Sequence, residues 1–430
     1  MVVRSGEDFV THGSRRPSKM GSLTESLVST SGYCTVTALS VDEIGKSRWD
    51  GFVPRDLPHL RHGFLKAVED SEQCSEPFYT LILRADTSEA VAAAVAYKLK
   101  VDLLTLVPRR YTRGINAVRR RLFPDLLYLS SMTCGPIVTN CQPNLFVAAS
   151  LTPAEQSEAV GLVLDAIETH SKGIPLQLFF EFSEPLASTV APAMAARGYL
   201  RAPSLPGTRL DVRWRSLDEY TSLLRKAFRR TIVKDRARAA DLTFEIVDDF
   251  HAYAEAAWKL YKSVLDKAEN VFEELTLPFF QALAAFEQSS MVLAREKATG
   301  KLVGMELLLR GETTLQDIYT GVDYAHNKEQ HIYFNLLYPV LGYAGEKGFK
   351  QLSLGQTSYT FKARLGVTPF STFLYIRHRN KLIHSILKIA KNALFPVMPT
   401  KTYRVFRDDT SSQEQEQGDA GASVSETENV

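Results

Sequence analysis

Apolar positions recur at two spacings along the 430-residue chain, and the alternation between those spacings lays out its elements. Short apolar runs bounded by polar or turn residues predict strands: "FYTLILRA", "PLQLFFEFS", "MVLAREKATGKLVGMELLLR", "TLQDIYTGV" and "KQLSLGQ". The third is long enough for a hairpin, with "KATGK" as its turn and Gly300 where a positive φ is needed. "AVAAAVAYKLK" fits a strand or a short helix equally well. Apolar residues three and four apart predict helices in "LRHGFLKAVEDSE", "HAYAEAAWKLYKSVLDKA", "LPFFQALAAFEQ" and "HIYFNLLYPVLGYAGEKG". Another is predicted over about 153 to 171, with Thr152 as N-cap and Pro153 at its first position. "DYAHNKEQ", from 323 to 330, has no apolar period and reads as a loop.

The order of strands and helices predicts an α+β protein with two cores, since a chain of this length exceeds one ordinary domain. A lead over 1–40, a first domain over 41–210 and a second over 211–378 are expected. A basic amphipathic segment over 379–407 and a disordered acidic tail over 408–430 complete the division. With 45% hydrophobic and 23% charged residues, the composition is that of a globular chain.

Charge changes the picture, because the net +2 is unevenly distributed. The tail holds seven acidic residues and no Lys or Arg, so the preceding 407 residues carry 51 basic against 42 acidic side chains. Two clusters account for much of that excess. Arg225, Lys226, Arg229, Arg230, Lys234, Arg236 and Arg238 lie on one predicted helix, opposite Leu223, Leu224, Phe228 and Ile232. They form either a solvated face or, through Arg229 and Arg230, a hold on an anionic substrate. The stretch 376–407 has eight Lys or Arg and no acid. There Leu382, Ile383, Ile386, Leu387, Ala390 and Leu394 share one helical face. That helix either packs on the second domain or lies on an anionic membrane.

Four cysteines and nine histidines show no metal-binding spacing, so no metal is expected. The start lacks the apolar run of a secretory signal, and no segment is long and apolar enough to span a bilayer. Residence in the cytoplasm is expected, in solution or on the inner face of the membrane.

Four segments then resemble one family when taken in order: "FRRTIVKDRARAADLTFEI" (228–246), "FEELTLPFF" (272–280), "GKLVGMELLL" (300–309) and "GQTSYTFKARLG" (355–366). The chain resembles the GNAT acyltransferases, and among them the FemAB-like two-domain members. The resemblance implies two tandem GNAT-like domains, each a mixed, mostly antiparallel sheet flanked by helices. It implies an N-acyltransferase that takes a thioester donor, acyl-CoA or an acyl carrier protein, and a small-molecule or lipidic amine acceptor. By the same resemblance the donor lies between "LQDIYTGV" and "QLSLGQ", near the start of the helix at His331. One departure stands out: the glycine-rich pyrophosphate loop of ordinary GNAT enzymes has no counterpart in "DYAHNKEQHIYF". An aminoacyl-tRNA-dependent FemAB-like peptidyl transferase therefore remains an alternative.

Direct transfer needs a base and an oxyanion partner but no nucleophile. The candidate catalytic residues are Asp317, an acid in an apolar strand where burial raises a carboxyl pKa, His331 and Tyr359. Asp317 reads equally well as an edge-strand carboxylate in water. Lys362 and Gln356, in the closing motif, and Asn327, Arg229 and Arg230 are the candidate donor-binding residues. A non-catalytic nucleic-acid-binding protein is the alternative from a different class. It lacks any reading motif, and no nucleic-acid partner is expected.

Overall fold

The structure is a computed structural model that describes residues 24–26, 32–74, 76–102, 121, 128–138, 141–267 and 273–407. Most of the expected lead and the whole acidic tail lie outside the described residues. The first half contains β1 (Thr24–Ser26), β2 (Tyr33–Ala38), α1 (Val41–Ile44), α2 (Lys46–Phe52), α3 (His62–Asp70), β3 (Pro77–Arg84) and β4 (Ala90–Asp102). It continues with β5 (Tyr128–Cys134), β6 (Leu145–Val147), α4 (Pro153–His170), β7 (Leu176–Ser183), α5 (Leu186–Ala196) and β8 (Leu200–Pro203). The second half opens with β9 (Gly207–Asp211), α6 (Leu217–Leu223), α7 (Lys226–Arg238), β10 (Leu242–Val247), α8 (Ala254–Leu265) and α9 (Leu277–Leu283). Then come β11 (Ser289–Glu296), β12 (Leu302–Arg310), β13 (Thr314–Val322), α10 (Tyr324–Gln330), α11 (Ile332–Glu346) and β14 (Gln351–Ser353). The described chain ends with α12 (Tyr359–Ala363), β15 (Thr368–Phe370), β16 (Thr372–His378) and α13 (Lys381–Leu394).

Two mixed, mostly antiparallel sheets result. One runs β1-β2-β3-β4-β5-β7-β16-β8, with β6 also on β4, and the other β10-β11-β12-β13-β14-β9-β15. Each has one parallel pair, β5 with β7 and β13 with β14. The sheets exchange a strand: β16, from the end of the chain, fills the gap between β7 and β8 of the first sheet. "AVAAAVAYKLK" is a strand, paired on both sides. The helix from Pro153 starts where its sequence predicts, with a reciprocal Thr152–Glu155 capping box. "DYAHNKEQ", read as a loop, is instead mostly the short helix α10, capped by Asp323, whose side chain accepts from the Ala325 N–H.

α4 and α5 cover one face of the first sheet, where Phe179, Phe182 and Val163 are fully buried. Its other face shares a core with the second half, in which Trp49, Leu65 and Tyr79 join Phe279, Phe280, Leu293 and Leu307. α11 fills the far side of the second sheet with Ile332, Leu336 and Val340. Polar ties fix the junction. Asp56 accepts from Thr313 N–H and Oγ1–H at 2.7 Å each and from Thr314 N–H at 3.1 Å. Gly311 permits this approach, since a Cβ there would stand 2.5 Å from Asp56 Oδ1.

α13 packs on the first sheet, not beside the helices of the second. It lies against β8 and β16 of the first sheet, joined to a small core by Leu387 and Leu394. No helix among the described residues is long and apolar enough to cross a membrane.

Candidate functional site

The site begins with an irregularity in β13. Opposite β12, the register runs from Tyr319 with Leu307 to Asp317 with Leu308, so Ile318 is an extra residue in a β-bulge. A bulge resets the alternation of side chains. Asp317 and Thr320, three residues apart, therefore both reach Glu306 on β12: Thr320 donates its hydroxyl to Glu306 Oε1, and the two carboxyls are hydrogen-bonded to each other. β13 pairs with β14 only over Thr314–Gln316, which leaves the Asp317–Val322 edge without a strand on that side among the described residues.

Glu306 and Asp317 are both buried, at 1% and 8% exposure. Among the described residues, no N–H or hydroxyl of another side chain or of the backbone reaches Glu306 Oε2 or Asp317 Oδ1. Two adjacent carboxylates cannot both stay charged in such a place, and a proton held between them resolves the conflict. Burial, then the neighbouring Asp317 charge, pushes Glu306 well above the usual carboxylate range. Burial also raises Asp317, against the hydrogen bond from Glu306 and the charge of Lys362. One proton therefore serves the pair, with Glu306 raised further by the neighbouring Asp317 charge.

Lys362 stands beside them on α12, 6% exposed. The loop before it takes the left-handed conformation at Gly355, Thr357 and Ser358, and the carbonyls of Leu354 and Gln356 accept from Lys362 Nζ. Two of its three N–H groups are thereby used. Burial lowers its pKa, and Asp317 opposes that shift most. From the first half, Gln142 Oε1 accepts from Gln316 Nε2 at 3.0 Å, and Cys141 N–H donates to the buried Glu181 Oε2 at 2.8 Å. Tyr333 on α11 completes the wall near both carboxyls. Burial raises its hydroxyl, which is hydrogen-bonded to Ser358.

The remaining predicted residues separate from this cluster. Gln356 Nε2 donates to Leu205 O and Tyr359 OH to Pro206 O, each at 2.8 Å, so both tie the loop to the link between β8 and β9. Burial pushes the Tyr359 hydroxyl up to about 12, and it is a protonated donor already engaged, not a base. His331 is not available as a base either. Arg238, which can only donate, lies 2.8 Å from His331 Nε2, so Nδ1 carries the proton and gives it to Asp235 Oδ1 at 2.9 Å. His331 is a left-handed joint between α10 and α11. Asn327 Oδ1 accepts from the Tyr333 N–H at 2.9 Å, occupying an amide of the first turn of α11. Arg229 is half-buried and Arg230 exposed on α7, a helix that packs beside α10 and α11. Neither arginine side chain forms an ion pair among the described residues.

A family model described as "Acetyltransferase (GNAT) domain" matches residues 223–363, a span that includes Glu306, Asp317, Tyr333 and Lys362. That span, about a third of the chain, is what is similar to a GNAT acetyltransferase domain. Among solved structures the chain is similar to FemX, at TM-score 0.50 and 11% identity over 75% of this chain and 93% of that one. It is also similar to the C-terminal domain of a putative lysylphosphatidylglycerol synthetase from Agrobacterium fabrum, at TM-score 0.42 and 14% identity over 72% and 88%. A third is a tandem GNAT protein from the clavulanic acid biosynthesis pathway, at TM-score 0.37 and 14% identity over 73% and 87%. At these identities the likeness concerns the fold alone and not the chemistry. No curated protein sequence matches the chain.

Within this GNAT-like span, Glu306 is the residue that sequence reasoning missed. The signal was present in "VGMELLLR", a lone acid inside an apolar run, the same pattern that marked Asp317. Among the described residues no group of three or more His, Cys, Asp or Glu gathers to hold a metal.

Proposed function

We propose that this protein is an N-acyltransferase that moves an acyl group from a thioester, an acyl-CoA, to an amine by direct transfer. The observation that carries the reading is the buried Glu306–Asp317–Lys362 cluster at the bulge where β13 leaves β14. In this reading Asp317 accepts the proton that the amine loses as its nitrogen attacks the thioester carbon. The remaining Lys362 N–H donates to the carbonyl oxygen as it becomes an oxyanion. The carbon–sulfur bond then breaks, and the leaving thiolate takes the proton from Asp317. Glu306 stays protonated and holds the Asp317 carboxylate in place.

The free edge of β13 offers backbone groups to the extended arm of the donor, in the manner of an added strand. No glycine-rich turn precedes α11, so the donor's phosphates fall to side chains, Arg229 and Arg230 on α7. An acyl carrier protein presents the same thioester chemistry, and a lipidic amine is an acceptor of the same class as a soluble one.

One observation favours a second reading. α7 and its cap carry seven Lys or Arg, while their one acid, Asp235, is turned inward onto His331 and Tyr338. Such a face also suits an aminoacyl-tRNA donor. Thermal unfolding with short- and long-chain acyl-CoAs separates the two. A bound donor at 100 times its Kd raises stability by about 2.7 kcal/mol. Stabilisation by one chain length, with loss of the shift in Arg229→Glu, is the expected result. No shift with any acyl-CoA, together with steeply salt-dependent binding of aminoacylated tRNA, overturns it in favour of the second reading.

A further inference from the structure

Among the described residues, the face of α13 turned away from the sheet is apolar and uncovered. Leu382, Ile386 and Ile389 are 71%, 56% and 86% exposed, and Val397, just past the helix, is 78% exposed. At 100° per residue Leu382, Ile386 and Ile389, with Ala393, fall within one narrow arc. Leu387 and Leu394, which do pack on the first sheet, sit on the flank of that arc. The helix therefore has more apolar surface than its own fold uses, and the excess is gathered in one stripe. Isolated exposed apolar residues are ordinary, but a continuous stripe on a helix is not.

The surroundings of the stripe identify its occupant by charge. α13 holds Lys381, Lys388 and Lys391 and no acid. Along one side of the helix runs a groove of about 880 Å³, lined in part by Lys172, Arg379, Lys381 and His384. Its two acids are already matched: Asp165 pairs with Arg197 at 2.8 Å and Glu168 with Arg377 at 2.5 Å. Lys172 and Lys381 form no ion pair among the described residues, so the groove presents surplus positive charge beside an apolar ridge.

We infer that α13 and this groove form a docking surface for an anionic phospholipid bilayer, with the stripe seated among the acyl chains and the groove receiving lipid phosphates. The pairing of an apolar helix face with flanking cations is what interfacial helices require. A second protein has less claim, because a matching surface must supply both an apolar strip and concentrated negative charge. An anionic leaflet supplies both everywhere. The inference is independent of which acyl donor the GNAT-like span takes.

The test is co-sedimentation of the full chain with vesicles of phosphatidylglycerol and phosphatidylcholine in equal parts, against vesicles of phosphatidylcholine alone. Expected is binding to the anionic vesicles that weakens with salt. Ile389→Glu should lower that binding about tenfold or more, since it places a charge in the seated stripe. Lys172→Glu with Lys381→Glu should abolish the preference for anionic vesicles. These side chains are solvent-facing, and unchanged thermal unfolding of the variants confirms that the fold is intact. The inference fails if the wild-type chain does not sediment with anionic vesicles, or if Ile389→Glu binds them equally well. It also fails if light scattering finds a dimer that Ile389→Glu separates, because the stripe then belongs to a second copy of the chain.

Discussion

Two clusters of titratable side chains flank α11, and they differ in how completely their hydrogen bonds are met. In the first, Asp235 receives His331 at 2.9 Å and Tyr338 at 2.8 Å on its two carboxylate oxygens, and Asn335 at 2.9 Å on its carbonyl. The second nitrogen of His331 is taken by Arg238. In the other cluster, Glu306 and Asp317 are comparably buried, yet Glu306 Oε2 and Asp317 Oδ1 meet no donor among the described residues beyond the proton the pair shares. Native interiors rarely tolerate this, because an unmet buried polar atom costs about 1–3 kcal/mol. The saturated cluster fixes the joint between α10 and α11. The unsaturated one has capacity left for a proton and a ligand, and that separates machinery from scaffold more sharply than residue type does.

The strongest way to break this contrast is Asp317→Asn. Loss of the base should lower amine acylation by about 100-fold to 10,000-fold while the fold is retained, as measured by thiol release with an amine acceptor. A variant at wild-type rate would reduce the carboxyl pair to a structural feature. Lys362→Met should cost about 100-fold to 1,000-fold in the same assay, through the rate and not through KM.

On the other side of the comparison, His331→Asn keeps a residue that tolerates the left-handed conformation but gives up the Asp235 contact. It should lower unfolding stability in urea by about 1–3 kcal/mol and leave the rate within a few-fold. A large rate loss without a stability loss would return His331 to the chemistry. The smallest effect concerns pH. Glu306 is held above its unfolded value, so the folded protein keeps a proton that the unfolded chain releases. Its contribution to stability is greatest below the ordinary glutamate pKa and is lost as pH rises through the raised one. Glu306→Gln should flatten that decline in thermal unfolding at pH 5 to 8, and an unchanged slope would place the shared proton elsewhere.

The elements legible in the sequence were those specified locally. The β11–β12 hairpin turns at Gly300, with φ at +71°, and α4 begins at the Thr152 cap. Asp317 was legible for the same reason, as an acid in an apolar run. What escaped depends on partners distant in the chain. Glu306 meets Asp317 because of a bulge at Ile318 that no local pattern announces. Gln356 and Tyr359 look like cleft residues until their acceptors prove to be Leu205 and Pro206, about 150 residues earlier. α10 was missed because a short polar helix held by its cap has no apolar period. The amphipathic pattern of α13 was readable, but not that only its flank packs on the sheet, half-buried.

The exchanged strand has a consequence for the order in which the chain is made. β8 ends at Pro203, and its neighbour β16 is complete only at His378, 175 residues later. At about 5–20 residues per second, the edge of β8 that will pair with β16 stays open for roughly 10 to 35 s of synthesis. During that interval β7 and β8 each present an unpaired ladder of backbone groups, the kind of surface on which nascent chains aggregate. The first half cannot finish folding on its own schedule, and a ribosome that stalls within the second half would release two unfinished sheets.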